Sequence, residues 1–219
     1  MPVVYNTGPN RIELTQDWIA HNFPLHPVVP RPSVELILHL QGHADGDAKL
    51  KDLWRQRQEC IHLMKTDPLR YGYEPQCWKD TRELLKTKNE VLIQGGNRAS
   101  KTWLAAKLIV ETLRDKPEAV VWCLHSTLPS SIEMQQPIVK KFLPPEWRNV
   151  GKRGRIVNIS WTDKNGFSEQ VFVCPPLEGA TVGSRCRFLN YSMEKSVIEG
   201  GDCDIIWCDE LVPYDWVET

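Results

Sequence analysis

Residues 91–102 read Val-Leu-Ile-Gln-Gly-Gly-Asn-Arg-Ala-Ser-Lys-Thr: an apolar run, two glycines, and a Lys-Thr pair that opens a helical pattern. Glycine permits the positive φ with which a buried strand turns abruptly. The amides from Gly96 to Lys101 can then point at an oxyanion, and the positive end of the following helix adds charge. Thr102 supplies a hydroxyl of the kind that ligates nucleotide-bound magnesium. The stretch therefore predicts a phosphate-binding loop.

The loop departs from the pattern G-x-x-x-x-G-K-[ST] at one position. Ser100 stands where the second glycine belongs, so a side chain must accept whatever φ the loop requires. The alternative interpretation is a solvated turn between a core strand and a helix. A second stretch further along the chain favours the phosphate-binding loop.

Residues 204–210, Asp-Ile-Ile-Trp-Cys-Asp-Glu, form a short apolar run closed by two carboxylates. In a phosphate-loop protein, an Asp at the end of such a strand holds magnesium and a catalytic side chain orients the attacking water. Ligands of open α/β sheets bind at the carboxyl ends of the strands, so we expect Asp209 and Glu210 near Gly95. Acidic residues after a strand also form plain turns, but their order after the loop favours a site.

Composition places few limits on function. The chain has 219 residues, 41% of them hydrophobic and 25% charged, with a formal net charge of −1, so it can bury a substantial core and carries no overall basic excess. Any contact with nucleic acid must therefore be local. No apolar run approaches the roughly 20 residues that span a bilayer, and a signal-peptide pattern is missing, so we expect a cytoplasmic protein.

The seven cysteines lack C-x-x-C spacing, which argues against a disulfide framework and against a zinc site. The six histidines are likewise expected to form no H-x-x-x-H pair and no cluster. His125, at the end of an apolar run, could approach a ligand, but we expect it to be a loop histidine.

The chain divides by pattern into a proline-rich, helical region over 1–66 and an α/β domain over 67–219. In the first region, Ser33 should open a short helix, and a longer helix should run from Asp47 to Met64. In the second, Asn165-Gly166 predicts a β-hairpin, and Pro137 should kink a helix over 131–142. A further helix is expected over 101–113, and parallel strands over 90–94, 119–124, 187–191 and 205–208.

Two further stretches are candidates for ligand contact. In one, Tyr73, Gln76 and Trp78 precede or open a helix, and they can either sandwich and read a nucleobase or fill the core. The other is a glycine-spaced basic loop with Arg148, Arg153 and Arg155. It can be a solvated loop, contact DNA phosphates, or supply an arginine to a neighbouring subunit's nucleotide.

Residues 68–219 resemble the ATPase part of a tailed-bacteriophage large terminase subunit. The resemblance lies in three stretches: Gly-Gly-Asn-Arg-Ala-Ser-Lys-Thr, the upstream Tyr-Gly-Tyr-Glu-Pro-x-x-Trp, and the closing Trp-Cys-Asp-Glu-Leu-Val-Pro-Tyr-Asp-Trp-Val-Glu-Thr. The resemblance implies a P-loop NTPase three-layer sandwich. Its central sheet would be mostly parallel, with an inserted β-hairpin, after a helical N-terminal region. It also implies an ATP-driven, magnesium-dependent motor that packages double-stranded DNA.

The resemblance further implies a role for each site residue. The nucleotide phosphates would be lined by the loop residues Gly95, Gly96, Asn97, Ala99 and Ser100. Lys101 would bind phosphate, and Thr102 and Asp209 would hold Mg²⁺. Glu210 would be the catalytic carboxylate, Arg98 would sense or stabilise the γ-phosphate, and the residues from Tyr73 to Trp78 would lie near the adenine.

The implied partners are double-stranded DNA, the portal protein and the small terminase subunit. The chain would form a ring at the procapsid portal in the cytoplasm of the infected bacterium, and in isolation it can be a monomer. The family's coupling motif and nuclease domain would lie beyond Thr219, so DNA cleavage is not expected. Two other functions stay open: a helicase or translocase of another P-loop branch, and a hydrolytically silent binding module.

Overall fold

The structure is a computed structural model that describes residues 19–21, 23, 25, 26, 28–96, 99–148, 150–153, 156–198 and 201–217. The chain divides into two compact units, Met1–Thr66 and Asp67–Thr219. Among the described residues, no helix is both long and apolar enough to cross a membrane.

The first unit is built on a helical hairpin, α1 (Val34–Gln41) and α2 (Gly46–Thr66). Ser33 caps α1, because its Oγ accepts a hydrogen bond from the Leu36 amide at 3.1 Å, which confirms the predicted helix start. Four buried side chains form its small core: Ile19, Phe23, Ile37 and Leu50.

The second unit alternates helices and strands. Its helices are α3 (Pro68–Tyr71), α4 (Gln76–Leu85), α5 (Lys101–Asp115), α6 (Leu128–Ser130), α7 (Gln136–Phe142), α8 (Pro145–Arg148) and α9 (Tyr214–Val217). Its strands are β1 (Val120–His125), β2 (Gly151–Arg153), β3 (Val157–Ile159), β4 (Trp161–Thr162), β5 (Gly166–Phe167), β6 (Val171–Val173), β7 (Arg185–Asn190) and β8 (Ile205–Cys208). Short 3₁₀ turns cover Ser168–Gln170 and Lys195–Val197.

Six strands form one mixed sheet in the order β2-β3-β6-β7-β1-β8. The neighbours β7, β1 and β8 run parallel, whereas β2, β3 and β6 are added antiparallel. The α/β class predicted from the sequence is confirmed. Parallel order brings the carboxyl ends of β7, β1 and β8 to one edge, with His125 opposite Asn190 and Leu124 opposite Cys208.

Both faces of the sheet are covered. On one face, α5 and α7 bury the larger core, which includes Ile109, Phe142, Phe172 and Phe188. On the other face, Trp122, Leu124, Leu189 and Trp216 form a second cluster beneath the segment that leads from β7 to β8. The central strand β1 is therefore buried on both faces, as its continuous apolar run predicts.

The hairpin at Asn165-Gly166 is confirmed: β4 and β5 pair antiparallel, and Gly166 takes a φ of +68°. The kink at Pro137 is also present, as a five-residue π turn, Ser131–Gln135, between α6 and α7. Proline has no N–H to donate to the preceding turn, which favours this local widening of the helix.

The predicted strand over residues 90–94 is wrong. This segment is neither helix nor strand; the Leu92 side chain is 83% exposed, while Ile93 packs against the core. A strand needs a neighbour for its N–H and C=O groups, and no described strand pairs with this segment. The apolar residues of this segment therefore do not form a strand of the sheet; Ile93 packs against the core from outside it.

Candidate functional site

The loop before α5 ends in a strained residue. Ser100 has φ 56° and ψ 24°, a left-handed conformation that glycine adopts more readily. Its Oγ donates to the Ala99 carbonyl at 2.7 Å and does not cap the helix. The first turn of α5 also carries no acidic side chain. Among the described residues, the N-terminal amides of this 15-residue helix therefore have no side-chain acceptor, which is the condition for binding an anion.

The Lys101 side chain folds back over the loop. Its Nζ donates to the carbonyl oxygens of Gly95 at 2.7 Å and Gly96 at 3.1 Å. The Thr102 hydroxyl makes no hydrogen bond to another described residue. Asn97 and Arg98 lie outside the described residues. The described part of the loop therefore presents one ammonium group and one hydroxyl at the start of α5.

The acidic pair lies at the carboxyl edge of the parallel strands. The Asp209 amide donates to the Leu124 carbonyl at 2.9 Å, which continues the ladder between β8 and β1 by one residue. Glu210 then turns the chain with a φ of 68°, and its side chain is 57% exposed. A left-handed conformation in a non-glycine residue is unfavourable, and such strain often occurs at functional sites.

The two stretches interact electrostatically. Burial raises the pKa of the Asp209 carboxyl, and the negative charge of Glu210 adds to that effect. The ammonium group of Lys101, at the start of α5, opposes it. The sequence places these residues more than a hundred positions apart, and packing of α5 beside β8 brings them into electrostatic range.

No family model matches the chain, and no curated protein or solved structure is similar to it. The arrangement of side chains at this edge is thus the observation from which a function is inferred.

His125 belongs to the same edge and corrects the expectation of a loop histidine. It is the last residue of β1 and is 1% exposed. The Ser126 amide donates to its Nδ1 at 2.9 Å, which assigns the proton of the neutral ring to Nε2. That nitrogen lies 3.9 Å from Glu210 Oε1. His125 therefore lies beside Glu210 without a direct hydrogen bond to it; its position at the end of the apolar run over 119–124 was the signal in the sequence.

The aromatic stretch divides into a core residue and an exposed pair. Trp78 is 5% exposed and belongs to the hydrophobic core, so its ring is not available to a nucleobase in this structure. Of the two interpretations of this stretch, filling of the core is the one that applies to Trp78. Tyr73 is 57% exposed, and Gln76 is exposed with its Nε2 donating to Asp80 at 2.8 Å. Only these two remain candidates for contact with a base.

A buried ionic network holds this stretch against α5. Lys107 is 4% exposed; its Nζ donates to the Leu69 carbonyl and lies 3.4 Å from both Glu74 and Glu111. Arg82 pairs with the same two carboxylates. The network fixes the segment that carries Tyr73 relative to the helix that begins at Lys101.

Arg148 is not free to contact DNA or a neighbouring nucleotide. Its Nε donates to the Leu143 carbonyl and its second guanidinium nitrogen to the Lys141 carbonyl, both at 2.7 Å. Arginine in this position satisfies carbonyls at the end of α7. The Arg153 side chain and Arg155 lie outside the described residues, so both stay predictions.

The raised pKa of Asp209 predicts that its carboxylate lowers the stability of the fold at neutral pH. When the pKa of a carboxyl is higher in the folded than in the unfolded state, its protonated form stabilises the fold. This stabilisation is lost as pH rises through the folded-state pKa. At pH 7 the desolvated carboxylate therefore destabilises the fold. We expect Asp209→Asn to stabilise the protein at pH 7 by an amount at the lower end of the ~0.5–2 kcal/mol typical of single stabilising substitutions. Its thermal midpoint should therefore be higher than that of the wild type at pH 7, and the two midpoints should converge near pH 4.

Thermal unfolding at the two pH values, without added metal, measures this effect. Asp202→Asn is the matched control, because Asp202 is exposed and near β8; it should leave the midpoint unchanged. A lower midpoint for Asp209→Asn at pH 7 would show that the carboxylate is engaged in a stabilising native contact, contrary to the prediction.

Proposed function

We propose that residues 67–219 form a P-loop NTPase domain that hydrolyses ATP with Mg²⁺. The single observation that supports this most is geometric: α5, whose uncapped start carries Lys101, packs beside β8, which ends next to Asp209. A phosphate-binding ammonium group and a metal-binding carboxylate are the two groups that such enzymes combine at one sheet edge.

The residues at this edge fit a magnesium nucleotide. The first-turn amides of α5 and the Lys101 ammonium suit a polyphosphate. Within the described part of the loop this ammonium is hydrogen-bonded to two neutral carbonyls, so a phosphate would add charge neutralisation. The Thr102 hydroxyl and the Asp209 carboxylate are hard oxygen ligands of the kind that Mg²⁺ prefers. When bound, the ion would neutralise charge that develops on the phosphoryl oxygens.

Hydrolysis requires a group that orients the attacking water, and we assign this role to Glu210. Its exposed carboxylate can accept the water's proton, and the buried ring of His125 lies beside it at the end of β1. Lys101 stabilises negative charge on the transferred group, and Arg98 is proposed to do the same. Tyr73 and Gln76 are proposed to contact the adenine.

The finer proposal rests on the order of motifs in the sequence. It is that the ATPase powers translocation of double-stranded viral DNA as part of a large terminase. This protein would act with a portal protein and a small subunit, in a ring at the procapsid portal in the host cytoplasm. DNA-stimulated ATP hydrolysis and co-purification with portal protein would support this finer proposal, and ATP hydrolysis alone would not.

Steady-state ATP hydrolysis by the full chain tests the ATPase. We expect a Mg²⁺-dependent rate in the wild type and a loss of at least about 100-fold in Lys101→Ala. Lys88→Ala, an exposed lysine just before the loop, is the matched control and should keep the wild-type rate. Equal rates in wild type and Lys101→Ala would refute the assignment.

One observation favours a second candidate, the hydrolytically silent binding module. The Lys101 ammonium already contacts two carbonyls of its own loop, which is a closed arrangement. Titration with a non-hydrolysable ATP analogue separates the two functions. No binding at millimolar analogue favours the silent module, whereas binding that requires Lys101 favours the enzyme.

A further inference from the structure

Two histidines meet at the end of the first helix. His39 lies in the last turn of α1, and His43 follows two residues after the helix ends. Their Nε2 atoms are 3.3 Å apart, and the two exposed rings stand nearly perpendicular, at 82° with centroids 4.9 Å apart. Three residues lie between them in the sequence, which forms an H-x-x-x-H pair, so the expectation that the histidines form no such pair is wrong.

The backbone fixes this arrangement. Gly42 keeps a right-handed helical conformation, and its amide donates to the Leu38 and His39 carbonyls. The His43 amide then donates to the Leu40 carbonyl at 3.1 Å. The chain therefore continues almost as a helix through His43, and positions i and i+4 of a helix lie on one face.

The separation of the two nitrogens is that of a chelate. With metal–nitrogen bonds of 2.0–2.1 Å, two nitrogens 3.3 Å apart subtend an angle of about 107° at the metal. That angle is close to the tetrahedral value, the geometry that Zn²⁺ prefers. Imidazole nitrogen is a good ligand for late transition ions and a poor one for Mg²⁺ or Ca²⁺.

The surroundings also favour a cation. The carbonyl end of α1 carries the negative end of the helix dipole, which stabilises positive charge within the last turn. Without an ion, two neutral rings can share only one N–H···N hydrogen bond, so one Nε2 donates and the other accepts. A bound ion would instead use a lone pair from each ring.

We propose that His39 and His43 chelate one divalent late transition ion, Zn²⁺ by geometry, at the turn between α1 and α2. Among the described residues, no group of three or more His, Cys, Asp or Glu side chains is placed to hold a metal. In the proposed site, water would fill the coordination positions that no described side chain reaches, and the ion would exchange at the protein surface. The site is independent of the proposed ATPase.

Metal titration of the full chain tests the proposal. Zn²⁺ binding is measured by calorimetry in a Cys60→Ser/Cys77→Ser/Cys208→Ser background, which removes the three exposed thiols that would compete for the ion. We expect one site in this background. Either His39→Ala or His43→Ala should weaken it at least about tenfold, because the second ligand of a chelate acts at high effective concentration.

His62→Ala is the matched control, since His62 is an exposed histidine on α2. It should bind Zn²⁺ like the parent, and circular dichroism should show equal helix content in all variants. Unchanged affinity in both His39→Ala and His43→Ala would overturn the proposal. An equal loss in His62→Ala would also overturn it, because binding would then be a non-specific property of surface imidazoles.

Discussion

Replacing Glu210 by glutamine is expected to lower the rate of ATP hydrolysis by at least about 100-fold while the affinity for ATP changes by less than about threefold. Glutamine keeps the size of the side chain but cannot take a proton from water. The loss should therefore fall on kcat, because Glu210 is assigned to the nucleophile and not to the phosphates. Steady-state kinetics with a fluorescent-nucleotide binding assay separates the two quantities.

Glu178→Gln is the matched control, since Glu178 is exposed and remote in sequence from both motifs; it should have the wild-type rate. Should Glu210→Gln instead retain full kcat, another group would have to orient the water. A selective loss of affinity would place the carboxylate among the nucleotide-binding groups, which also contradicts its assigned role.

The second large effect is on stability. We expect Lys107→Ala to lower the free energy of unfolding by about 3 kcal/mol, because it leaves Glu74 and Glu111 facing each other with only Arg82 between them. Lys107 is almost fully buried, so water cannot replace its ammonium group. Urea unfolding followed by tryptophan fluorescence measures the change.

Lys86→Ala provides the comparison, because the Lys86–Glu83 pair is exposed on both sides and such pairs contribute little. It should change the free energy of unfolding by less than about 0.5 kcal/mol. If Lys107→Ala were as mild as Lys86→Ala, the network would not be holding the segment around Tyr73 against α5.

The sequence predicted correctly those helices, strands and turns that are determined by neighbouring residues. The run over 119–124 became β1 because it is apolar on both faces, and the start of α1 followed from the Ser33 cap. The Asn165-Gly166 pair gave its hairpin because that turn requires a positive φ. In each case the deciding interaction lies within a few residues.

The failures have causes distant in sequence. The segment over 90–94 has the composition of a strand but no pairing neighbour among the described strands. Trp78 joined the core because α4 turns that face inward. His125 reached the candidate site only because parallel pairing aligns the ends of β1 and β8. These outcomes depend on how elements assemble, which periodicity does not encode.

The strand that leads to Asp209 is also the last strand of the sheet, and its outer side is unpaired within the described part of the chain. Ile206 and Cys208 are exposed there. An open row of backbone donors and acceptors is a template for strand addition. Self-association at high protein concentration would thus begin on the strand that leads directly to the proposed metal ligand, so rates should be compared across a dilution series before any variant is judged inactive.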